Sequence, residues 1–385
     1  MKDEEILSMH AENQGVLNIA PQFEVKNRKE LGEAYTPGVA IISKLIERYP
    51  ELKDKYTLSG KLVALVTDGS AVLGLGNIGP AGGLPVVEGK ALLYKDLANV
   101  NALPLTVEQV PVDEVVATLK NMQESFAGFH LEDIKAPRCF EIEEKLSQAV
   151  NIPVYHDDQE GTAIVVLAGL INAAKVVNKN LKELKVVING VGASGVATAR
   201  LLFAAGIKNI TFVDIDGPVH ADSQNYNQYQ TGLVKQSSDQ TAYASLDEAV
   251  KGRDVFIGLS DADVLNEDQV RTMAKDPIIF ALANPRPEID PQVATKAGVA
   301  VMATGSSQYP NQVNNILVFP GLYKGLLSTN LTKVDFGLEM AIASGLANMI
   351  TNPTAEKIVP GVFDDGVVST VAQAVQHYAT DKINN

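Results

Sequence analysis

Cysteine is nearly absent from this sequence of 385 residues, because Cys139 is the only one. A single thiol excludes an internal disulfide framework and a zinc site built from several thiolates. Long apolar runs are also missing: the longest, residues 163–174, includes Gly169 and Asn172 and falls short of the ~18 residues of a membrane span. The first ten residues lack the basic and then apolar pattern of a leader peptide. These absences predict a cytoplasmic protein with no membrane partner.

Positive charge is scarce as well. The 32 lysines and arginines stand against 46 aspartates and glutamates, so the formal net charge is −14. This balance argues against a nucleic-acid partner, since affinity for phosphates comes mainly from basic residues. A hydrophobic content of 46% with 20% charged residues is typical of a globular protein with a core and excludes global disorder. The length favours two domains at ~150 residues each.

The order of strand-like and helix-like segments changes near residue 160. Before that point the alternation is irregular, with strands expected at 61–67 and 152–155 and helices at 87–97, 112–122 and 139–150. After it, helices at 163–177 and 196–205 alternate regularly with short apolar strands at 185–189, 209–214, 255–259, 278–281 and 299–303. We therefore predict an α/β protein. An N-terminal α/β domain spans residues 1–160, and a Rossmann-type doubly wound domain with a helical C-terminal segment spans 161–385.

A glycine-rich hexapeptide follows the strand expected at 185–189 and opens the next helix. Gly190 permits a tight turn, Gly192 lets the backbone approach a pyrophosphate, and Gly195 allows close packing of helix on strand. The free N–H groups at the helix N-terminus, which includes Ser194, present positive potential to phosphates. The hexapeptide predicts a dinucleotide site, although a glycine-rich turn needed only for packing is the alternative.

An acid in the expected position indicates which dinucleotide binds. Asp214 ends the second strand, 22 residues after Gly192, close to the ~20 expected of an acid that binds the ribose. A carboxylate accepts hydrogen bonds from ribose hydroxyls and repels a 2′-phosphate, and residues 215–220 contain no lysine or arginine. NAD is therefore favoured over NADP. Asp216 competes for this role, and Asp214 could instead form only a turn.

Two pairs of adjacent acids, Glu132-Asp133 and Asp157-Asp158, each follow a short apolar stretch. Four carboxylates brought together repel one another unless a cation neutralises them. Oxygen ligands without thiolates suit Mg²⁺ or Mn²⁺. Spacing alone leaves open whether the pairs meet or are solvated surface acids. For His156, beside the second pair, we favour a structural role over metal ligation, and we expect Cys139 to be structural too.

Several motifs together resemble the malic enzyme family, and especially its small bacterial form. They occur in family order from residue 35 to about residue 320. As written in this sequence, they are Tyr35-Thr36-Pro37-Gly38, Gly74-Leu75-Gly76-Asn77-Ile78-Gly79, Pro85-Val86-Val87-Glu88-Gly89-Lys90, Leu131-Glu132-Asp133-Ile134, His156-Asp157-Asp158-Gln159-Glu160-Gly161-Thr162, Phe280-Ala281-Leu282-Ala283-Asn284-Pro285 and Pro310-Asn311-Gln312-Val313-Asn314-Asn315.

The resemblance implies a metal-dependent oxidative decarboxylation of malate, a small dicarboxylate, to pyruvate and CO₂ with reduction of NAD. It implies that residues 1–160 form a substrate and metal domain and that the protein is a homodimer, in which Tyr35 could cross the interface. Lys90 would be the general base, with a pKa lowered by the metal and partial burial, and Tyr35 the general acid. The other implied roles are metal ligation by Glu132, Asp133 and Asp158, tuning of Lys90 by Asp157, and binding of substrate and nicotinamide by Asn284 and Asn315.

Departures from the family pattern keep an alternative open. The chain has Ser70-Ala71 where larger members have an arginine, and Asn77 and Glu160 replace a usual aspartate and a common histidine. The segment Ser306-Ser307-Gln308 lacks an arginine and an aspartate that small members often carry. The main alternative is a metal-dependent oxaloacetate decarboxylase on the same scaffold, and a non-catalytic NAD-binding protein is a further one. The intact glycine motif and Asp214 favour oxidation.

Overall fold

The computed structural model describes residues 3–72 and 74–384, so the predicted domain limits at residues 1 and 385 lie outside the described residues. It contains two sheets, and the first has four parallel strands in the order β2-β1-β3-β4. These strands are β1 (Leu62–Thr67), β2 (Asn101–Thr106), β3 (Gly128–Glu132) and β4 (Val154–His156).

The second sheet has six strands in the order β10-β9-β8-β5-β6-β7, and only the short β7 runs antiparallel to its neighbour. Helices alternate with the parallel strands, which confirms the predicted α/β class. The strands are β5 (Lys185–Asn189), β6 (Asn209–Asp214), β7 (Gly217–Pro218), β8 (Val255–Gly258), β9 (Ile278–Ala281) and β10 (Val301–Thr304).

Sixteen helices lie within the described residues, and a π-helical turn, Asp157–Gly161, joins β4 to α8. The first seven are α1 (Asp3–Asn13), α2 (Arg28–Ala34), α3 (Gly38–Arg48), α4 (Lys53–Tyr56), α5 (Gly79–Ala98), α6 (Val112–Met122) and α7 (Arg138–Ala149). The others are α8 (Thr162–Val176), α9 (Ala193–Ala204), α10 (Gln228–Gln236), α11 (Leu246–Ala249), α12 (Glu267–Thr272), α13 (Pro291–Lys296), α14 (Phe319–Leu326), α15 (Phe336–Asn348) and α16 (Val367–Asn384). None of the helices in these ranges has the length and apolar character that crossing a bilayer requires.

The strands of the second sheet were largely predictable, whereas parts of the first were not. The predicted strands 185–189, 209–214 and 278–281 match β5, β6 and β9. Strands β2 and β3 were not predicted, and helix α5 begins at Gly79 although its helical pattern starts only near residue 87. The early start escapes prediction because the first turns of α5 carry glycines and two prolines, which read locally as a loop.

A continuous core joins the two sheets. The side chains of β1 from Val63 to Val66 are completely buried, as expected of a parallel sheet covered on both faces. Helix α14 lies late in the chain but packs on the first sheet, where the Tyr323 hydroxyl donates a hydrogen bond to the Phe129 carbonyl at 2.7 Å. The predicted domain boundary near residue 160 falls in the π-helical turn and stays a prediction.

Residues 3–58 form an N-terminal arm with a different character. Helices α1 to α4 contain no buried residue. Most of the exposed large hydrophobic side chains of the described chain lie in this arm: Ile6, Leu7, Met9, Ile19, Phe23, Val25, Leu31, Tyr35, Val39, Ile41, Tyr49, Tyr56 and Leu58. Such a concentration of exposed apolar side chains is typical of a surface that contacts another protein.

Candidate active site

The two pairs of acids lie at one edge of the first sheet. Strand β3 ends at Glu132 and β4 ends at His156, and the two strands are parallel neighbours in which Leu131 is paired with His156. Because the carboxyl ends of parallel strands meet at one edge, the residues that follow them come together. The oxygens of Glu132, Asp133 and Asp158 lie within 4.8 Å of one another. The structure therefore shows that the two acid pairs meet, a question that their spacing in the sequence could not answer.

The surroundings of these three acids fit a hard divalent cation. Glu132 and Asp133 are buried rather than on a solvated surface. Asp158 accepts a hydrogen bond at 2.9 Å from the backbone N–H of Asp133, which has a left-handed backbone with φ 54°. All the candidate ligand atoms are carboxylate oxygens, which Mg²⁺ and Mn²⁺ prefer. A second possible ligand group, His130, Glu132 and Asp157, also lies within 4.8 Å, but Lys90 contacts two of its members and would repel a cation there.

Burial shifts the ionisation of the three acids. Burial raises the pKa of Glu132 to about 7, with Asp157 adding to the effect. Burial and the neighbouring Glu132 raise the pKa of Asp133 to about 8 and that of Asp158 to about 6. Carboxylates gathered in a buried site favour the neutral form unless positive charge compensates them. The cluster therefore has a strong electrostatic demand for a cation.

Lys90 lies on α5 beside these acids. Its Nζ donates to Glu132 Oε2 at 2.5 Å and also to Asp157 Oδ2, and its side chain is 14% exposed. Burial alone lowers the pKa of Lys90, but the charges of Asp157, Glu132 and Asp158 outweigh it and the pKa is raised. The expected fall of this pKa is therefore wrong for the chain alone. The carboxylates hold Lys90 protonated, and charge compensation at the three acids would reduce that effect.

Three buried aromatic side chains hold the partners of Lys90, and the sequence analysis missed them. The Tyr155 hydroxyl donates to Asp157 Oδ1 at 2.6 Å. His130 Nε2 lies 2.9 Å from Glu132 Oε2, and its Nδ1 lies 2.8 Å from the Tyr94 hydroxyl. Burial lowers the pKa of His130 to about 3, so the ring is neutral at pH 7. Since a carboxylate only accepts, Nε2 carries the proton and Nδ1 accepts from Tyr94.

Strand periodicity is the signal that could have found these side chains. His130 and Glu132 are two residues apart on β3, and Tyr155 and Asp157 are two residues apart at the end of β4. Residues i and i+2 of a strand share one face. His130 was not among the predicted site residues, because its strand, β3, was not predicted. His156 is buried and, within the described residues, neither ring nitrogen has a hydrogen-bond partner.

The glycine-rich turn has the geometry that its motif predicts. Gly190 has φ 99°, in the region that favours glycine, and a Cβ there would collide with the Leu259 carbonyl. A Cβ on Gly195 would collide with the Gly190 carbonyl, whereas a Cβ on Gly192 would meet open space. Helix α9 begins after Gly192 without a side-chain cap, and Ser194 lies in its first turn. Uncapped N–H groups facing open space suit a phosphate.

Asp214 already has partners within the chain. Its Oδ2 accepts from the Val191 backbone at 3.1 Å and from Gln230 Nε2 at 3.0 Å, and its Oδ1 accepts from the Ile215 backbone at 2.8 Å. Gln230 also donates to the Val191 carbonyl at 2.9 Å. Asp214 and Gln230 therefore brace the glycine-rich turn, and sequence reasoning missed Gln230. Asp216 is exposed at the same strand end.

The remaining predicted residues divide between the site and the arm. Asn315 lies next to the π-helical turn. A Cβ added to Gly161, the last residue of the turn, would be 3.0 Å from the Cβ of Asn315. Asn284 follows β9 and precedes a cis peptide bond to Pro285. Tyr35 lies in the arm with 66% of its surface exposed, and within the described residues its hydrogen bonds are backbone ones to neighbours in the arm. One copy of the chain does not join Tyr35 to Lys90.

Two departures from the family pattern and the lone cysteine have structural explanations. The side chains of Asn77 and Gln109 donate hydrogen bonds to each other at 3.1 and 2.8 Å. These bonds tie the loop before α5, residues 74–78, to the segment that follows β2. Glu160 accepts from the His156 backbone at 2.7 Å, and burial raises its pKa well above the ordinary value. Burial also raises the pKa of the Cys139 thiol, so this cysteine is inert, in agreement with its expected structural role.

A glycine-rich turn on the second sheet, with a lysine and a carboxylate cluster on the first, is typical of an α/β enzyme that uses a dinucleotide. Comparison with known families identifies which one. The family models "Malic enzyme, N-terminal domain" and "Malic enzyme, NAD binding domain" match residues 15–147 and 159–380. The chain belongs to the malic enzyme family.

Relatives of established name cover nearly the whole chain. The bifunctional malic/malolactic enzyme of Bacillus subtilis is 44% identical over 98% of this chain and 93% of its own length. The NAD-dependent malic enzyme of Geobacillus stearothermophilus is 44% identical over 94% of this chain and 76% of its own length. The crystal structure of the NAD-dependent malic enzyme of Thermotoga maritima has a TM-score of 0.93 at 40% identity, covering 96% of this chain and 98% of that one. The malic enzyme of Pyrococcus horikoshii has a TM-score of 0.96 at 40% identity, covering 99% and 91%.

Proposed function

We propose that this protein is an NAD-dependent malate dehydrogenase (decarboxylating), which converts L-malate to pyruvate and CO₂. The observation that carries the proposal is the position of Lys90, whose Nζ contacts Glu132 and Asp157 beside the carboxylate cluster. Membership of the malic enzyme family, with relatives named for this activity, supports the same conclusion. The intact glycine-rich turn supports use of the dinucleotide as an oxidant.

Lys90 would take the proton from the C2 hydroxyl of malate. A base must reach this hydroxyl, because an alkoxide forms as hydride leaves C2. The partly buried Nζ lies at the carboxyl edge of the first sheet, and Asp157 fixes its direction from inside the core. Asn284 and Asn315 would together hold the substrate carboxylate and the nicotinamide end of the cofactor, and Asn315 lies next to the π-helical turn.

A divalent cation, Mg²⁺ or Mn²⁺, would be held by Glu132, Asp133 and Asp158. Bound there, the cation would supply polarisation of the C2 oxygen and stabilisation of negative charge on it, and NAD would supply the hydride acceptor. The burial of Glu132 and Asp133 and the raised pKa values of all three acids support this assignment, since Lys90, which contacts Glu132, is the only cation in the described chain at hydrogen-bond distance from them.

Tyr35 would protonate C3 after CO₂ leaves, and it would do so in a homodimer. Its exposure within an arm that buries none of its own helical residues supports contact with a second copy of the chain. A tyrosine delivered by the partner's arm would complete the site.

Gly190, Gly192, Ser194 and Gly195 would bind the pyrophosphate of NAD at the uncapped start of α9. Asp214 would select NAD over NADP by repelling a 2′-phosphate, while its bonds to Val191 and Gln230 hold it at the turn. A cytoplasmic location agrees with a single, buried, unreactive cysteine.

A product assay with purified protein and Mn²⁺ tests the proposal. We expect malate and NAD to yield NADH and pyruvate in equal amounts, with much slower reduction of NADP. Pyruvate from oxaloacetate without any oxidation of malate would support the decarboxylase alternative and contradict the proposal. Lactate without net NADH would instead indicate the second activity named for the Bacillus subtilis relative.

A further inference from the structure

Tyr155 on β4 has no role in the chemistry described so far, yet it touches the carboxylate that holds the lysine. Its side chain is completely buried. Its hydroxyl donates to Asp157 Oδ1 at 2.6 Å, and the other oxygen of Asp157 contacts Lys90 Nζ. A continuous chain of hydrogen bonds therefore runs from the core to the amine of Lys90.

The tyrosine is rigidly placed. Its ring packs edge-on against His130, with centroids 5.3 Å apart, and against Tyr323, with centroids 6.3 Å apart. The two oxygens of a carboxylate lie in one plane, so a donor fixed on Oδ1 also fixes the direction of Oδ2. The ring packing is thus transmitted to the contact with Lys90.

The neighbouring glycine leaves room for this hydrogen bond. A Cβ on Gly161 would collide with both Asp157 Oδ1 and the Tyr155 hydroxyl. The last residue of the π-helical turn is therefore a glycine at a position where a side chain would push the Tyr155 hydroxyl and Asp157 apart. The glycine and the tyrosine act on the same pair of oxygen atoms.

Asp157 also differs from the other partner of Lys90. Glu132 contacts the lysine but belongs to the cluster of possible metal ligands as well. Asp157 has 0% of its surface exposed, and its two oxygens contact Tyr155 and Lys90. A residue that fixes the orientation of Asp157 therefore also fixes the position of the Lys90 amine. It does so without contacting the cluster of Glu132, Asp133 and Asp158.

We propose that Tyr155 is a positioning residue, which acts through Asp157 to hold the Lys90 amine against the C2 hydroxyl of malate. This inference rests on the proposed function. Hydrogen bonds to charged groups are among the strong ones in proteins, and misplacement of a base reduces the rate of the chemical step.

The test is the Tyr155→Phe variant, which removes one oxygen atom and keeps the ring. We expect kcat for malate oxidation to fall about tenfold, or ~1.4 kcal/mol in the barrier, while KM changes less than about twofold. The deuterium isotope effect with 2-deuterated malate should rise, because chemistry becomes more rate-limiting. Mn²⁺ affinity, measured by electron paramagnetic resonance without substrate, should match that of the wild type.

The matched control is Tyr323→Phe, which removes a buried hydroxyl from the same aromatic cluster. That hydroxyl donates to the Phe129 carbonyl rather than to a carboxylate. We expect the control to lower the unfolding temperature and to reduce kcat much less than Tyr155→Phe does, because the ring that packs on Tyr155 is retained. Wild-type kcat in Tyr155→Phe, or equal loss of kcat in both variants, would overturn the inference. A wild-type protein without malate oxidation would instead overturn the proposed function and, with it, this inference.

A second variant keeps the test decisive if Tyr155→Phe does not fold. Gly161→Ala retains the hydroxyl but forces it away from Asp157, so the same loss of kcat is expected. Because the new Cβ would also lie 3.0 Å from Asn315 Cβ, kcat and the isotope effect, rather than KM, are the measurements that decide for this variant. Gly169→Ala, on the helix α8 that follows the turn, is its control, because a Cβ there would lie 3.1 Å from Phe280 Cζ and has no contact with Asp157 among its nearest atoms. Folded Gly161→Ala protein with wild-type kcat would contradict the proposal.

Discussion

Two groups of largely buried acids lie at the π-helical turn, and they differ in one respect. In the first group, Glu132 and Asp157 contact the ammonium group of Lys90, and Asp133 and Asp158 lie beside Glu132. Glu143, Glu160 and Glu339 line a cavity of about 200 Å³ whose cation, Arg200, contacts Glu144 at 3.6 Å. Both groups carry carboxyl groups with raised pKa values. The lysine is what converts buried acids into a candidate catalytic site.

The two groups differ in what their charges do. In the first group, charged acids are useful because they direct Lys90 and can hold a cation. In the second, ionised acids repel one another in a buried place and reduce stability. Substitutions in the first group should therefore reduce activity, and neutral substitutions in the second should increase stability.

The largest effect is expected from removing the lysine. Lys90→Ala should lower kcat for malate oxidation about 1,000-fold, within the range that a positioned base contributes. It also leaves Glu132 and Asp157 without their cation. Initial rates of NADH formation measure the effect, with Lys95→Ala as control, since Lys95 is exposed on the same helix. Wild-type turnover in Lys90→Ala would show that Lys90 is not the general base.

Chelation of divalent ions is expected to reveal the cost of the first group. The pKa values of Glu132 and Asp133, about 7 and 8, exceed their ordinary values of 4.5 and 3.8. In metal-free protein their protonation therefore favours the folded state at low pH, and this contribution is lost as pH rises from about 4 to 8.

Mn²⁺ should accordingly stabilise the protein more at pH 8 than at pH 6. At a concentration a hundredfold above Kd, the expected gain at pH 8 is about 2.7 kcal/mol. Thermal unfolding with and without chelator measures it, and Asp158→Asn should reduce the gain. Equal stabilisation at both pH values would argue against these ligands.

Neutralising Glu339 tests the second group. Glu339 is 4% exposed, and burial with the neighbouring Glu143 raises its pKa from 4.5 to about 8. Since the folded pKa exceeds the ordinary value, ionisation destabilises the fold as pH rises. Glu339→Gln should increase the free energy of unfolding by about 1–3 kcal/mol at pH 8.5 and have little effect at pH 5.

Denaturant unfolding at the two pH values measures this effect. Glu356→Gln is the control, because Glu356 is exposed. A destabilised Glu339→Gln protein with lowered malate turnover would show that the second group has a function as well.

The smallest effect is expected at Glu143. Burial raises its pKa to about 7, but its carboxylate accepts from Gln159 Nε2 at 3.0 Å. Because part of its charge is compensated, Glu143→Gln should stabilise the protein by less than about 1 kcal/mol at pH 8.5. The same denaturant experiment ranks it against Glu339→Gln, and a larger gain at Glu143 would reverse the proposed order.

Several candidate site residues could be proposed from the sequence because their signals are local. Gly190, Gly192 and Gly195 stand between a strand and a helix, and each acid pair directly follows a short apolar stretch. The resemblance to the malic enzyme family added Lys90 and Tyr35, which no local pattern distinguishes. The supporting contacts could not be predicted in the same way, because Tyr94, His130 and Tyr155 belong to helix α5 and strands β3 and β4, which only the folded chain brings together.

The sequence by itself determined the α/β class, the dinucleotide turn and the family, since apolar periodicity, turn glycines and motif order act over short distances. Only the tertiary structure decided that the two acid pairs meet, that Lys90 keeps its proton between Glu132 and Asp157, and that Tyr155 holds Asp157. It also left Tyr35 exposed, with its hydrogen bonds in the described residues made to neighbours in the arm. Ionisation and contact depend on burial and distance in space, and the order of strands across a sheet sets both.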